Sequence, residues 1–175
     1  VRGVPLPDAV VFLERVGDSV PAPAPGRGRL DQRDLAFVPR VLVVSPGSTV
    51  EFPNSDPVMH NVFHPGDSLA AFDLGTYSSS EAKEVRFTQP GLFVMLCHVH
   101  PEMVGWVAVV PAELHAITTG AGGFEVTAVP PGQYRLHVWH RRVEDPALTV
   151  SVGKGIPSAP VLLNLSRRGR RGFPH

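Results

Sequence analysis

Residues 92–110, LFVMLCHVHPEMVGWVAVV, carry the most information about the fold. An apolar run ends at Cys97, a short segment rich in His, Glu and Met follows, and a second apolar run leaves from Val104. Two apolar runs of strand length joined by a compact turn predict a pair of neighbouring strands. Cys, His and Met are soft or borderline metal ligands, and their combination on one turn indicates copper more than zinc or calcium.

A further ligand must come from elsewhere, and residues 54–64, NSDPVMHNVFH, offer one. His60 stands 37 residues before Cys97, between two strand signals, where a neighbouring strand can bring it alongside the thiol. Two neutral imidazoles and a thiolate form a trigonal copper set, to which a thioether adds a weaker axial contact. The two segments therefore offer His60 on one side and, on the turn, Cys97, His98, His100, Glu102 and Met103 as candidate donors.

The composition favours a globular, β-rich chain. Hydrophobic residues make up 43% of the 175 residues, enough for a core, while 19 prolines and 17 glycines leave little room for long helices. With 16 basic and 16 acidic residues the formal net charge is zero, so nothing in the charge indicates nucleic-acid binding. No segment approaches the roughly 18 continuous apolar residues of a membrane span. Cys97 is the single cysteine and has no partner for an intramolecular disulfide.

Strand-like runs recur in two groups with turn signals between them. Alternation puts Val50 and Phe52 on one face of the first group. A helical turn is expected near residues 79–83, a structural turn at 72–77 (FDLGTY) and a Pro/Gly-rich loop at 17–29. The strands are predicted at residues 9–14, 37–44, 49–52, 61–63, 84–87, 92–97 and 105–110, and then at 114–118, 123–127, 134–139, 148–152 and 161–165.

The first group resembles the cupredoxins of the plastocyanin and pseudoazurin type, over roughly residues 35–111. The C-x-x-H-x-x-M spacing is shorter than in plastocyanin and is similar to plastocyanin-like proteins of the methylamine-utilization type. The resemblance rests on the motifs F-x-P, V-x-x-G-x-x-V-x-F-x-N, H-N-x-F, Y, F, P-G and C-x-x-H-x-x-M-x-G-x-V-x-V, in this order along the chain. The residues that match these motifs are Phe37, Pro39, Val44, Gly47, Val50, Phe52, Asn54, His60, Asn61, Phe63, Tyr77, Phe87, Pro90, Gly91, Cys97, His100, Met103, Gly105, Val107 and Val109.

This resemblance implies a Greek-key cupredoxin β-sandwich over residues 30–111 with one mononuclear type 1 copper site. The shortened loop leaves Glu102 as an alternative axial ligand, and Asn61 is expected to help fix the Cys97 loop by hydrogen bonds. The implied ligands, three equatorial and then one axial, are His60, Cys97, His100 and Met103.

A protein of this kind is expected to carry single electrons between redox partners in the periplasm or outside the cell, and not to be an enzyme. No signal peptide is visible, so the location follows from the expected function. A redox partner is expected to dock on an apolar patch around His100 that includes Met59, Pro101 and Val104. The alternatives are a protein that stores or delivers copper, and a metal-free scaffold with a vestigial site.

Enzymatic alternatives fit the residues less well. A Cys–His nucleophile pair lacks a helix N-terminus to lower the thiol pKa and leaves His60 and Met103 unexplained. A multicopper oxidase needs several His-x-His pairs, and the chain has one, at His98 and His100. In an extended segment His98 points away from the Cys97 sulfur. The residues predicted to be non-ligands are His98 and His64, with a rim or occasional-ligand role as the alternative for His64. Met59 and Met95 are predicted to serve packing, with a place in a soft apolar rim as the alternative.

In the second group a turn at residues 119–123 precedes Phe124, and the segment 129–136 reads VPPGQYRL. These features resemble the carboxypeptidase-regulatory or transthyretin-like β-sandwich. That fold usually opens with a strand reading roughly G-x-P-L-x-x-A-x-V, which residues 3–11, GVPLPDAVV, fit. We therefore expect a small sandwich at residues 112–166, completed by a strand from residues 1–16, with a docking or scaffolding role. A basic flexible tail is expected at residues 167–175.

Overall fold

The structure, a computed structural model, describes residues 4–17, 23–66, 71–153 and 163–166. These residues form fourteen strands and no helix, so the predicted all-β fold class is confirmed. Nowhere in these ranges does a helix have the length and hydropathy that crossing a membrane requires. The strands are β1 Val10–Arg15, β2 Arg27–Arg29, β3 Asp31–Arg33, β4 Ala36–Val38, β5 Val41–Val44, β6 Ser48–Pro53, β7 His60–His64, β8 Phe72–Tyr77, β9 Ala82–Phe87, β10 Gly91–Leu96, β11 Val104–Val109, β12 His115–Ile117, β13 Gly132–Trp139 and β14 Leu148–Val152.

Contacts between residues divide the chain into two compact units, Val1–Pro21 with Ala112–His175, and Ala22–Pro111. The unit Ala22–Pro111 contains a five-stranded sheet in the order β5-β11-β10-β7-β8, a three-stranded sheet in the order β2-β6-β9, and the hairpin β3-β4. Strand β5 runs parallel to β11 and β2 runs parallel to β6. The other strand pairs of this unit are antiparallel.

One hydrophobic core serves both sheets of this unit. Along β6, Val50 and Phe52 are fully buried, while Thr49 and Glu51 are only partly buried, as the alternation predicts. These two side chains belong to a cluster that also includes Met95 of β10 and residues of β7, β9 and β11. Because side chains from both sheets meet in one core, the unit is a β-sandwich.

Residues 72–77 form strand β8 and not the turn that the sequence predicts. The strand pairs with β7, with Tyr77 opposite His60. Gly75 has a φ of 68°, a backbone conformation that favours glycine, so this strand carries a local irregularity. The Tyr77 hydroxyl donates to the Phe52 carbonyl oxygen at 2.8 Å. The pairing with β7 and the contact of the buried Tyr77 hydroxyl are long-range interactions. They outweigh the local sequence pattern that favours a turn.

Four other predicted elements differ from the structure. Residues 79–83 hold no helical turn, because Ser80 has a φ of 71° and β9 begins at Ala82. Residues 123–127 form no strand, although Phe124 and Val126 pack against a core. Of residues 161–165, the last three form no strand and the first two lie outside the described residues. Part of the predicted loop at 17–29 is strand β2. The predicted tail at 167–175 also lies outside the described residues.

The unit Val1–Pro21 with Ala112–His175 contains one four-stranded antiparallel sheet in the order β12-β1-β13-β14. Strand β1 lies inside this sheet, with Val11 opposite both Ala116 and Val138. One face of the sheet buries a second apolar cluster, whose buried members are Ala9, Val11, Leu13, Tyr134, Leu136 and Val138. A second sheet, which a sandwich requires, is not seen among the described residues of this unit.

Gly105 of β11 is predicted to tolerate no side chain. A Cβ atom there lies 2.6 Å from Cβ and 2.9 Å from Cγ of the buried Phe37. We expect Gly105→Ala to lower the free energy of unfolding of this unit by about 1–3 kcal/mol, because the added methyl group overpacks the core. Urea denaturation followed by Trp106 fluorescence in a Trp139→Phe background measures the change.

The matched control is Gly26→Ala. A Cβ atom at Gly26 meets nothing within 4 Å, so the change in unfolding free energy should stay within about 0.5 kcal/mol. Equal losses in the two variants would contradict the assigned packing of Phe37 on Gly105.

Candidate metal centre

The turn between β10 and β11 carries most of the candidate ligands. Leu96 and Val104 are opposite each other in the antiparallel ladder, so the chain must reverse within residues 97–103. The Met103 amide donates to the His100 carbonyl oxygen at 3.0 Å, which tightens the turn. Cys97, at the start of the turn, is a free and buried thiol.

Strand β7 brings His60 to this turn. It lies between β10 and β8 in the sheet, with Phe63 opposite Leu96. The His60 side chain, at the first position of β7, is completely buried. Strand pairing thus brings His60 close to Cys97, as the sequence analysis predicts.

The structure gathers three of the four predicted ligands at one point. One nitrogen of His60, one nitrogen of His100 and the Cys97 sulfur all lie within 4.8 Å of one another. The two histidine Nδ1 atoms are 3.0 Å apart, with the ring planes inclined by 63°. Metal–nitrogen bonds of about 2.0 Å and metal–sulfur bonds of about 2.3 Å let donors at this spacing share one ion.

The two residues considered for the axial position have different surroundings. The Met103 side chain is buried and belongs to the same apolar cluster as Cys97. Glu102 is exposed. A thioether is therefore enclosed near the thiol, while the carboxylate faces water.

The other histidines of this region have partners of their own. The His98 ring stacks on Phe63 at 3.7 Å between centroids, and its Nε2 lies 3.4 Å from the Asp73 carboxylate. His64 Nδ1 lies 2.9 Å from the Val94 carbonyl oxygen. Among the described residues neither histidine belongs to the cluster of donors.

Asn61 connects β7 to the Cys97 turn by its backbone and its side chain. Its amide donates to the Cys97 sulfur at 3.4 Å, and its Oδ1 accepts from the His98 amide at 3.3 Å. Its Nδ2 donates to Asp73 at 2.6 Å. The Gly75 amide and then the Asn61 side chain hold the pKa of Asp73 below its ordinary value, although burial raises it. An ionised Asp73 therefore anchors the side chain that orders the turn.

Asp56 contacts the His60 ring, and the sequence analysis does not single it out. Its buried carboxylate lies 2.8 Å from His60 Nε2, on the ring edge opposite the Nδ1 that approaches His100. Burial raises the pKa of Asp56, but hydrogen bonds from Leu35, His60 and Asp34 outweigh it and leave the pKa below its ordinary value. The available sequence signal is a carboxylate four residues before His60, in an N-S-D-P segment that reads as a turn.

Exposed apolar side chains flank the two histidines. Val58 and Met59 precede His60, and Val99 precedes the partly buried His100; all three apolar side chains are exposed. The prediction that Met59 serves packing is wrong, because its side chain is 53% exposed at the end of a loop. Met95, the other methionine predicted to serve packing, is fully buried.

The segment that holds the donors is similar to a known protein family. Residues 27–110 match copper binding proteins of the plastocyanin/azurin family. Comparison with curated proteins gives no significant match.

Three similar solved structures are copper proteins by name. A Cu-containing nitrite reductase from Thermus scotoductus SA-01 is 26% identical over 55% of this chain, with a TM-score of 0.45. This chain spans 25% of that reductase chain. A purple cupredoxin from Nitrosopumilus maritimus is 22% identical over 47% of this chain and 99% of its own, with a TM-score of 0.43. A reduced Cu(I) form of an amicyanin variant is 25% identical over 57% of this chain and 98% of its own, with a TM-score of 0.46.

The chemistry of the donors agrees with the family match. A buried thiol and two imidazoles are ligands that suit copper, and a trigonal His₂Cys set is that of a blue-copper site. The matched segment contains all three donors and the turn that holds them. Residues 27–110, which match the plastocyanin/azurin family of copper binding proteins, form a cupredoxin fold, and the donors they hold are those of one mononuclear type 1 copper.

Proposed function

We propose that this chain carries single electrons between redox partners in the periplasm or an equivalent outer compartment. In this proposal three side chains are the equatorial ligands and Met103 is the axial one. The observation that carries it is the approach of the three donor atoms to within 4.8 Å of one another in a buried site. The equatorial ligands are His60, Cys97 and His100.

The surroundings of the donors suit electron transfer, because they restrict movement of the ligands. When bound, copper supplies a one-electron couple between Cu(I) and Cu(II). Strand pairing fixes both ends of the turn, and the Asn61 amide holds the Cys97 sulfur. The carboxylate of Asp56 holds the far side of the His60 ring. Ligands held from several directions change position little between oxidation states, which lowers the reorganisation energy.

A carrier role is favoured over an enzymatic one by the burial of the thiol. Cys97 is 3% exposed at the end of strand β10, so its sulfur is shielded from a substrate in solution. His100 is the more accessible of the two clustered histidines. It therefore offers the shortest route for an electron between the site and the surface.

The partner is proposed to dock on the exposed apolar side chains beside the site. Val99 adjoins His100, and Val58 and Met59 adjoin His60, so these side chains flank the donors. Pro101 is also exposed, whereas Val104 is only partly so. Transient redox contacts are small, and an apolar patch of this kind suits rapid association and release.

The domain organisation is part of the proposal. We propose a copper domain at residues 30–111 and a transthyretin-like unit at residues 112–166 completed by a strand from residues 1–16. The pairing of β1 with β12 and β13 supports the contribution of the first strand. This second unit is proposed to dock or scaffold.

The axial position is tested by a pair of variants in the copper-loaded chain. We expect Met103→Leu to raise the reduction potential, because loss of the thioether removes a weak ligand that favours Cu(II). The swap preserves volume, so its cost in stability should stay below about 1.5 kcal/mol. Glu102→Gln should leave the potential and the visible spectrum unchanged. Spectroelectrochemistry measures both, and the opposite pattern would assign the axial position to Glu102.

Repeated redox cycling separates an electron carrier from a protein that stores or delivers copper. We expect a reversible one-electron wave and one copper per chain in both oxidation states, because strand pairing and hydrogen bonds within the protein restrain the ligands. Voltammetry followed by desalting and metal analysis of the reduced protein measures this. Loss of copper on reduction, or its transfer to a chelator of moderate affinity, would favour storage or delivery.

A further inference from the structure

The Asp56 carboxylate joins a surface hairpin to the buried His60 ring. Its Oδ1 accepts from the Asp34 amide at 2.6 Å, and its Oδ2 accepts from the Leu35 amide at 3.0 Å. The same Oδ2 lies 2.8 Å from His60 Nε2. Asp56 is 6% exposed and His60 is fully buried, so water competes little for these contacts.

The hairpin turn is built to hold an anion. Strands β3 and β4 are joined by Asp34 and Leu35, whose φ angles are 53° and 57°. Two successive residues with positive φ form a type I′ turn. In this structure both amides of the turn point at the carboxylate, and consecutive backbone N–H groups of this kind form a concave anion site. The turn therefore fixes the orientation of Asp56 and compensates its negative charge in part.

The contact with His60 determines which ring nitrogen carries a proton. An ionised carboxylate accepts hydrogen bonds and donates none, so the hydrogen at this contact belongs to Nε2. In the neutral ring Nδ1 is then left with its lone pair. That nitrogen lies 3.0 Å from His100 Nδ1, on the side of the donor cluster. Asp56 thus presents His60 in the tautomer that a metal ligand requires.

The same contact also affects the balance between oxidation states. A hydrogen bond from an imidazole to a carboxylate makes the imidazole a stronger donor. A stronger donor stabilises the more highly charged ion, so Cu(II) gains more than Cu(I). Removing the carboxylate therefore weakens Cu(II) binding more than Cu(I) binding and raises the reduction potential.

We infer that Asp56 is a positioning residue of the copper site, held by the Asp34–Leu35 turn, that fixes the His60 tautomer and favours Cu(II). The part of this inference that concerns copper rests on the proposed function. The part that concerns the His60 tautomer does not, because it is measurable in the metal-free chain.

Asp56→Asn is the decisive variant, and Asp31→Asn is its matched control. Asp31 is also buried and belongs to the same hairpin, but its carboxylate accepts from the Gln32 amide and the Ser55 hydroxyl and pairs with Arg29 and Arg33. Both variants remove one buried negative charge, so a general loss of charge or stability affects them alike. Only Asp56→Asn alters the group that faces Nε2.

The first readout is ¹⁵N NMR of the histidine rings in the metal-free chain at mildly alkaline pH. The parent chain and Asp31→Asn should show His60 protonated on Nε2 alone, and Asp56→Asn should show loss of this single tautomer. The second readout is the affinity for Cu(II) and Cu(I) by competition. We expect Asp56→Asn to lower Cu(II) affinity about 10–100-fold and Cu(I) affinity less, with the ratio unchanged in Asp31→Asn.

The two readouts separate failure of this inference from failure of the proposed function. If Asp56→Asn keeps both the tautomer and the ratio of affinities of the parent chain, Asp56 is only structural and the inference is overturned. If the variant does not fold, the parent chain still decides, because His60 protonated on Nδ1 would overturn the inference. If the parent chain fails to cycle reversibly while its tautomer is as expected, the proposed function fails and the positioning role of Asp56 stands.

Discussion

The Asn61 amide donates a hydrogen bond to the Cys97 sulfur, 3.4 Å away, and this contact marks the place where strand β7 meets the turn after β10. One residue earlier in β7, the His60 ring enters the donor cluster. A slip of β7 by one residue would turn His60 to the opposite face of the sheet, because side chains alternate along a strand. The copper site therefore depends on the register of one strand against one turn, and the polar network around Asn61 secures that register.

Two polar networks hold this junction from different sides. On one side Asp73 accepts from Asn61, and Asn61 accepts from the His98 amide within the turn. On the other side Asp56 connects the β3–β4 turn to the His60 ring. Tyr77, opposite His60 in the ladder, donates to Phe52, and burial raises the pKa of its phenol, which keeps that donor protonated. These hydrogen bonds restrain the donor side chains from both sides of the junction, as partners outside the ligand set commonly do in metal sites.

The parts of this site that lie close together in sequence could be predicted, and the parts that long-range pairing creates could not. The Cys97-to-Met103 spacing and the two flanking apolar runs predict the strand–turn–strand unit by themselves. Asp56 escaped prediction because its partners at Asp34 and Leu35 are more than twenty residues away and act through their backbone amides, which carry no sequence signal. Strand β8 was not predicted because Asp73 and Gly75 are residue types typical of turns. That they belong to a strand follows only from the pairing of this segment with β7.

Titration of the metal-free chain with copper(II), beside Cys97→Ser, tests most directly whether the thiolate and two imidazoles hold one ion. Visible and EPR spectra record the result. The intact chain should bind one equivalent and develop an intense charge-transfer band with the spectrum of a type 1 site, and Cys97→Ser should lack that band. The same colour in both proteins, or no thiolate band in the intact chain, would contradict a copper centre built on Cys97.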